Sequence, residues 1–183
     1  IVEPISFPYV DLLVPTYYVI TTAEASSNLA RFDGVHYGYR SKKTTNLEGA
    51  YTLSRTEGFG EEVKRRIMLG TFVLSAGYHQ AYFTKAQKIR RLIQQKTDEI
   101  FKKYNFIISP TTPHTAFEIG KKHKDPTVMY LEDIFTVQAN LSGNPAISLP
   151  IGKHTNGLSI GLHLMGDRFK ELELIKFSKH LST

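Results

Sequence analysis

The sequence predicts a layered α/β fold, and three observations lead to this prediction. Segments with apolar residues at helical spacing alternate along the chain with short apolar runs of strand length. The 183 residues are 41% hydrophobic and 22% charged, which is the make-up of a globular protein with a real core. No internal repeat or low-complexity tract interrupts this alternation. We therefore expect residues 1–183 to form a single domain.

The first part of the chain is predicted to be mostly helical. Pro15 suits the first turn of a helix, so we expect a helix through TYYVITTAEASSNLARF that ends near Asp33 and Gly34. Residues 34–60 are polar and rich in turn-forming residues, which indicates a long surface loop. A second helix is expected over residues 61–75.

The rest of the chain adds one long helix and several strands. Residues 78–104 carry an apolar face at helical spacing, formed by Tyr82, Ile89, Ile93 and Ile100. The run NFIIS stops at SPTTP, which predicts a buried strand that ends in a rigid loop. The remaining predicted elements are a helix over 127–140, two strands over 146–152 and 157–166 around a turn at 153–157, and an amphipathic helix over 170–181.

The charge of the chain suggests one class of partner. A net charge of +6 and a pI near 9.4 are compatible with nucleic-acid binding, because phosphate recognition is largely electrostatic. The basic residues between positions 85 and 103 are, however, interleaved with Gln, Asp and Glu, as on a solvated helix face. An RNA-binding module and an ordinary basic surface therefore both remain open, and the former rests on charge alone.

Composition excludes several kinds of site. The absence of cysteine excludes disulfides, thiolate catalysis and cysteine-based zinc sites, and it fits a reducing compartment. The seven histidines show no paired ligand spacing, so no metal is expected. No apolar run approaches the ~18 residues that span a bilayer, so we expect a soluble protein without a membrane partner.

GLSIG, residues 157–161, matches the G-x-S-x-G pattern of the serine-hydrolase nucleophile elbow. That elbow requires a sharp strand-to-helix turn straight after the serine, whereas Ile160, Leu162 and Leu164 continue a strand with alternating apolar residues. Ser159 is therefore predicted to be an ordinary strand residue. No other Gly/Ser-rich loop in the chain is able to present a serine nucleophile.

Three adjacent cations, Lys64, Arg65 and Arg66, lie in GFGEEVKRRIMLGTF. At 100° per residue, Arg66 lies about 60° from Val63 on the apolar side of the helix, whereas Lys64 and Arg65 lie roughly 100° and 160° away. Arg66 is therefore predicted to point inward, where a guanidinium needs an anion. The residues leave open whether that anion is a protein carboxylate or a ligand.

Two further pairs of residues are candidates with a simpler explanation. Tyr17 and Tyr18, in the first turn of the expected helix, can offer a hydroxyl to a pocket, although core packing is the favoured explanation for the pair taken alone. Glu132 and Asp133 interrupt the apolar pattern of YLEDIFTV, and periodicity alone predicts that they face solvent.

Several blocks of the sequence closely resemble the glutaminase subunits of glutamyl-tRNA(Gln) amidotransferases, which are amidase-signature enzymes. The blocks are EASSNLARFDG, GFGEEVKRRIMLGTF, YHQAYFTKAQKIR, SPTTP and MYLEDIFTVQANLSGNPAISLPIG. The resemblance runs from about Val10 to Gly166. It implies the C-terminal part of the amidase-signature fold, with a mixed β-sheet layered between helices.

The resemblance also implies what this chain lacks and which partners it has. Proteins of this family are much longer, and their Ser-cis-Ser-Lys triad is expected upstream of Ile1, so no catalytic residue is expected here. The complete glutaminase subunit hydrolyses glutamine and delivers ammonia to the B subunit, which uses ATP and magnesium to amidate Glu-tRNA(Gln), while the C subunit clamps the pair. No cofactor is expected in this chain. A cytoplasmic location is implied, bacterial or organellar.

The family's glutamine pocket falls within the part of the glutaminase subunit that this chain resembles. Carried onto matching positions, Arg66 binds the substrate α-carboxylate, Asp133 binds the α-amino group, and Tyr17 is the pocket tyrosine. A one-residue shift would exchange Tyr17 for Tyr18. Another amidase-signature hydrolase with a different amide substrate is the alternative enzyme, and the isolated chain is expected to be inactive in either case.

Overall fold

The computed structural model describes residues 1–120 and 126–181, with the backbone alone at Pro126. The chain divides into two compact units. The first unit comprises Ile1–Tyr17 and Lys88–Thr183, and the second comprises Tyr18–Gln87. The single-domain organisation stays a prediction.

The elements of the described residues confirm the α/β class. The helices are α1 (Val10–Leu29), α2 (Leu47–Gly58), α3 (Glu61–Leu74), α4 (Lys85–Phe101), α5 (Pro126–Leu131), α6 (Val137–Ser142) and α7 (Glu171–Leu181). A π-helical turn, Gln80–Thr84, leads directly into α4. The strands are β1 (Phe106–Pro110), β2 (Ala146–Lys153) and β3 (Ser159–Gly166).

The sheet lies in the first unit and has the strand order β1-β3-β2. Both pairings are antiparallel, so the parallel component of the expected mixed sheet is not among the strands that residues 1–120 and 126–181 contain. A tight turn joins β2 to β3, and consecutive strands joined in this way pair antiparallel. Gly157 supplies the positive φ of 83° that this turn needs.

Helix α7 covers the sheet. The rings of Phe177 and Phe106 stack with centroids 4.5 Å apart and nearly parallel planes. Leu174 of α7 is buried, and so are Leu164 and Met165 of the central strand. This burial of apolar side chains on both sides of β3 stabilises the sheet.

Helix α4 holds α6 in place through side chains. Arg90 Nε donates to the carbonyl oxygen of Leu141 at 3.0 Å, and Gln94 Nε2 donates to that of Ser142 at 3.4 Å. Gln138 Nε2 in turn donates to Thr97 Oγ1 at 3.1 Å. The carbonyls at the C-terminus of α6 have no partner within their own helix, so these donors satisfy them.

The second unit is built from the last part of α1 together with α2 and α3. Helices α1 and α3 approach closely where Gly70 lies against Thr22, and a hydrogen bond of 3.0 Å joins Ser26 Oγ to Thr71 Oγ1. A guanidinium nitrogen of Arg55 donates to the carbonyl of Leu29 at 2.8 Å, which satisfies the end of α1. The small side chain of Ser26 and the absence of a side chain at Gly70 permit this close packing.

Helix α1 begins five residues earlier than the sequence predicted. It starts at Val10, so Pro15 lies inside the helix and not in its first turn. Pro15 has no N–H and forgoes a bond to the carbonyl of Asp11. The adjacent Leu13 and Val14 are buried, and this burial favours the helix in spite of the missing bond.

Two other predictions were wrong in part. The loop expected over residues 34–60 contains α2, which begins after Asn46, whose side-chain oxygen accepts from Gly49 N at 2.7 Å. The helix expected over 127–140 is divided into α5 and α6, because three-residue turn bonds, such as Ile134 N to Leu131 O at 3.1 Å, tighten the chain between them. Helices α3, α4 and α7 and the β2–β3 hairpin are confirmed, although Tyr82 lies in the π-helical turn before α4 and is exposed. Strand β1 is confirmed as a strand, but its expected burial was wrong, because it is an edge strand and Ile108 is exposed.

Candidate functional site

Helix α3 separates the three cations as the helical geometry predicted. Its buried residues are Gly70 and Val73, which lie about 40° and 20° to either side of Arg66 around the helix axis. Lys64 lies about 160° from Arg66, on the opposite side. Arg66 therefore lies on the packed face of α3.

The solvent exposure of Lys64, Arg65 and Arg66 differs less than their angular positions on α3 do. The side chains of Lys64 and Arg66 are 33% and 36% exposed, and that of Arg65 is 54% exposed. Arg66 is half-buried and not enclosed, because a guanidinium retains part of its hydration at the edge of a packed face. Its neighbours, and not its burial, distinguish it from Lys64.

Within its own unit, the guanidinium of Arg66 contacts Glu62 and Tyr18. Its Nε donates to Glu62 Oε1 at 3.1 Å, one helical turn away. The other oxygen of Glu62, Oε2, accepts from a guanidinium nitrogen of Arg65. The Cζ atom of Arg66 lies 5.5 Å from the centroid of the Tyr18 ring, over its face. A protein carboxylate is therefore one partner of Arg66, as one of the two open alternatives supposed.

These contacts fix the plane of the guanidinium. A carboxylate on Nε and an aromatic ring beneath the group restrict rotation about the last bonds of the side chain. A planar fork held in this way is suited to bind a carboxylate. Sequence reasoning missed Glu62 as a partner, although its spacing of four residues before Arg66 is the signal of a helical ion pair. It named Tyr18 as a possible pocket hydroxyl and as the alternative to Tyr17, but not as a neighbour of Arg66.

Tyr17 and Asp133 belong to the first unit. Tyr17 is half-buried and lies in the middle of α1, not in its first turn. Asp133 is half-buried in the turn before α6, where its carbonyl oxygen accepts from Thr136 N at 3.0 Å and from Val137 N at 3.1 Å. The expected solvent-facing pair is thus partly covered. The joint role of Arg66, Asp133 and Tyr17 stays a prediction.

A cleft of about 390 Å³ lies in the first unit, between the SPTTP loop and the start of β3. It is lined by Pro110, Thr112, Pro113, His114, Thr115, His154, Ser159, Ile160 and Gly161. The carboxylate of Glu132 holds His114 Nδ1 at 2.9 Å. Ser159 begins a regular strand paired with Lys153, so it is not on a nucleophile elbow, as predicted.

Arg90, Arg91 and Lys96 of α4 engage groups of the protein itself. Lys96 Nζ donates to Glu99 Oε2 at 2.8 Å, and this hydrogen bond raises the pKa of Lys96. Arg91 donates to Gln94 Oε1 at 3.0 Å, and Arg90 is bonded to α6. These contacts favour the ordinary basic surface over a nucleic-acid interface.

Residues 1–120 and 126–181 are the part of the chain that the structure describes. These residues contain no group of three or more His, Cys, Asp or Glu side chains able to hold a metal ion. None of the helices described for the chain is both long and apolar enough to cross a membrane.

Comparisons with known proteins confirm the resemblance. The A subunit of the glutamyl-tRNA(Gln) amidotransferase of Agathobacter rectalis is 54% identical over 176 residues, which are 96% of this chain and 35% of that protein. The crystal structure of the corresponding A subunit from Thermotoga maritima is 43% identical with a TM-score of 0.66, and the match covers 95% of this chain and 32% of that one.

A more distant structure shares the fold alone. The 6-aminohexanoate cyclic dimer hydrolase has a TM-score of 0.67 at 20% identity, over 92% of this chain and 34% of that chain. The chain thus spans about a third of the length of the relatives it matches. A profile of the Amidase family matches residues 1–175. With almost its whole length matched, the chain belongs to the amidase family.

Proposed function

We propose that this chain is the glutamine-recognising part of an amidotransferase subunit that hydrolyses glutamine. The ammonia released converts Glu-tRNA(Gln) to Gln-tRNA(Gln) during protein synthesis. The observation that carries this proposal is the 54% identity, across 96% of the chain, to the A subunit of a glutamyl-tRNA(Gln) amidotransferase. Relatives of other substrate classes share the fold at only 20% identity.

Three residues form the proposed glutamine site. Arg66 binds the α-carboxylate, Asp133 binds the α-amino group, and Tyr17 completes the pocket. A free amino acid carries one negative and one positive group, so its recognition needs a cation and an anion of the protein. The neighbours of Arg66 support its part, because they hold the guanidinium in one orientation at the edge of a packed face.

The chemistry of the complete enzyme is shared among subunits in this proposal. The B subunit uses ATP and magnesium to activate Glu-tRNA(Gln), the C subunit clamps the complex, and the tRNA is bound through the complex. The enzyme works in the cytoplasm. The internal pairing of cations on α4 supports this division, since it argues against direct RNA contact by this surface.

The proposal places the nucleophile in a segment of the glutaminase subunit other than this chain. The isolated chain is then expected to release no ammonia from glutamine. A coupled assay for ammonia at millimolar glutamine measures this directly. Appreciable turnover by the isolated chain would contradict the proposal that the Ser-Ser-Lys triad lies elsewhere.

The role of Arg66 is tested in the complete subunit that carries this sequence, together with its partners. Arg66→Ala removes charge-assisted hydrogen bonds worth about 1.5–3 kcal/mol, so KM for glutamine is expected to rise about 10- to 150-fold. Lys64→Ala is the matched control, because Lys64 is a cation of the same helix with similar exposure that pairs with Glu61 on the opposite side. An unchanged KM for Arg66→Ala would refute the assignment.

Two other functions give different results in simple experiments. A different amidase would not co-purify with subunits B and C, and it would prefer another amide over glutamine. A basic RNA-binding module would bind tRNA in isolation, with an affinity that falls steeply with salt. An absence of tRNA binding by the isolated chain at low ionic strength removes that alternative.

A further inference from the structure

Some of the side chains around Arg66 have no role in the proposed glutamine site. Glu62 and Tyr18 both contact the guanidinium, and Arg65 contacts Glu62. We infer that Glu62 and Tyr18 are positioning residues that fix the direction in which Arg66 presents its guanidinium to a ligand carboxylate. This inference rests on the proposed function, and it deepens the recognition of the α-carboxylate.

Glu62 is itself held at both oxygens. Oε1 accepts from Arg66 Nε at 3.1 Å, and Oε2 accepts from Arg65. The three residues lie within one turn and a half of α3, so the helix backbone sets their spacing. A carboxylate with one oxygen on each cation has little freedom, and it therefore orients the Nε edge of Arg66. Because Glu62 holds the Nε edge, the direction of the guanidinium is set on that side before a ligand carboxylate binds.

The ring of Tyr18 contacts the Arg66 guanidinium, whereas Glu62 contacts its Nε edge. Arg66 Cζ lies over the Tyr18 ring, 5.5 Å from the centroid, and this cation–π contact holds the guanidinium on the Tyr18 side of α3. The distance between the two residues depends on the close approach of α1 and α3 one turn further along. There Gly70 packs on the Thr22 carbonyl, and Thr22 Oγ1 donates to the carbonyl of Tyr18 at 2.6 Å. The helix contact thus places the aromatic ring where it supports Arg66.

Glu62 also has an effect of the opposite sign on binding. Its negative charge lies close to the position of an incoming carboxylate and repels it. If orientation is the main effect, the loss of Glu62 weakens glutamine binding. If repulsion is the main effect, the loss of Glu62 strengthens it. The direction of the change in KM therefore tests the inference.

The experiment measures glutamine hydrolysis by the complete glutaminase subunit in complex with its partners. Glu62→Ala is expected to raise KM about tenfold, because an oriented charge-assisted contact is lost, and to leave kcat nearly unchanged. Glu62→Gln keeps an oxygen that accepts from Arg66 Nε, so its KM is expected to stay within about threefold of the parent. Tyr18→Leu is expected to raise KM by about three- to tenfold, whereas Tyr18→Phe, which keeps the ring, leaves it unchanged.

A second substrate separates positioning from a general structural effect. The compound 4-aminobutanamide is glutamine without its α-carboxylate. The parameter kcat/KM for this compound is expected to be the same in the parent and in the Glu62→Ala variant. Equal losses for both substrates would mean that Glu62 only maintains the fold, and this result overturns the inference.

The outcomes distinguish this inference from the proposed function. If Arg66→Ala raises KM for glutamine but Glu62→Ala leaves it unchanged or lowers it, the positioning role is refuted and the glutamine site stands. If Arg66→Ala itself leaves KM unchanged, the proposed glutamine site fails, and the positioning role fails with it. A rise in KM for both variants, seen only with glutamine, supports both.

Discussion

The contact between Gly70 and Thr22 leads to a quantitative prediction about stability. A methyl group built on Gly70 would overlap the Thr22 carbonyl oxygen and would lie 2.5 Å from Ser26 Cβ. Because a backbone group of α1 stands in the way, the overlap is relieved only if α1 and α3 move apart. Overpacking of this kind costs about 1–3 kcal/mol, and the upper end applies where backbone atoms are involved.

The helix propensity of alanine opposes this cost. Alanine favours a helix interior by about 1 kcal/mol over glycine, so Gly70→Ala is expected to lower the free energy of unfolding by about 2 kcal/mol. For a protein of this size the melting temperature then falls by about 4–8 °C. Thermal unfolding followed by circular dichroism at 222 nm measures the change.

The matched control is Gly77→Ala, since a methyl group there meets no atom within 4 Å. This variant is expected to melt within about 1–2 °C of the parent, which corresponds to the roughly 0.5 kcal/mol range of neutral surface substitutions. If Gly70→Ala were as stable as the control, the close approach of α1 and α3 would be wrong.

Two further predictions concern stability. Asn46→Ala removes the cap of α2 and is expected to cost about 1 kcal/mol in urea unfolding, whereas Asn46→Asp keeps an accepting oxygen and is nearly neutral; equal losses would argue against the cap. Burial lowers the pKa of His163 from 6.5, so below this pH the unfolded chain binds the proton more readily and stability is lost as the pH falls. His163→Gln is expected to have a flatter melting profile between pH 7.5 and 5, and identical profiles would refute this role of His163.

The sequence predicted the elements whose signals are local and repeated. Helix α4 has a long apolar period, and Ile93 and Ile100 are buried as that period required. The β2–β3 hairpin follows from alternating apolar residues around a turn with Gly157. Such patterns determine an element without reference to the rest of the fold.

The predictions of the start of α1 and of a loop over residues 34–60 were wrong because each rested on one local feature of the sequence. Pro15 indicated a helix start, but burial of Leu13 and Val14 extends α1 toward the N-terminus. The polar composition of residues 34–60 predicted a loop, although this segment contains α2. The N-cap residue Asn46 was a local signal for that helix. Tertiary packing decides the first case, which no local pattern reveals, whereas the second case had a local signal in the N-cap.

In the candidate site, too, some features follow from local sequence patterns and others depend on tertiary packing. The direction of Arg66 on α3 follows from the helical period, and the buried Gly70 and Val73 confirm it. The pairing with Glu62 was readable from the spacing of the two residues. The contact with Tyr18 was not, because it depends on how closely α1 and α3 approach. The position of Asp133 depends on a break between two helices that the apolar pattern does not reveal.

Side-chain hydrogen bonds from α4 to α6 give part of the polar surface of α4 a structural role. Arg90 and Gln94 hold the far end of the short helix α6, whose first turn is bonded to the carbonyl of Asp133. A guanidinium counted as surface charge therefore acts as a tether for a turn some fifty residues away in sequence. Neutral or acidic replacements along α4, chosen to make the protein less basic, would loosen the segment that carries Asp133. The requirement for Arg90 on α4 thus comes from its hydrogen bond to α6 and does not depend on binding of a nucleic acid.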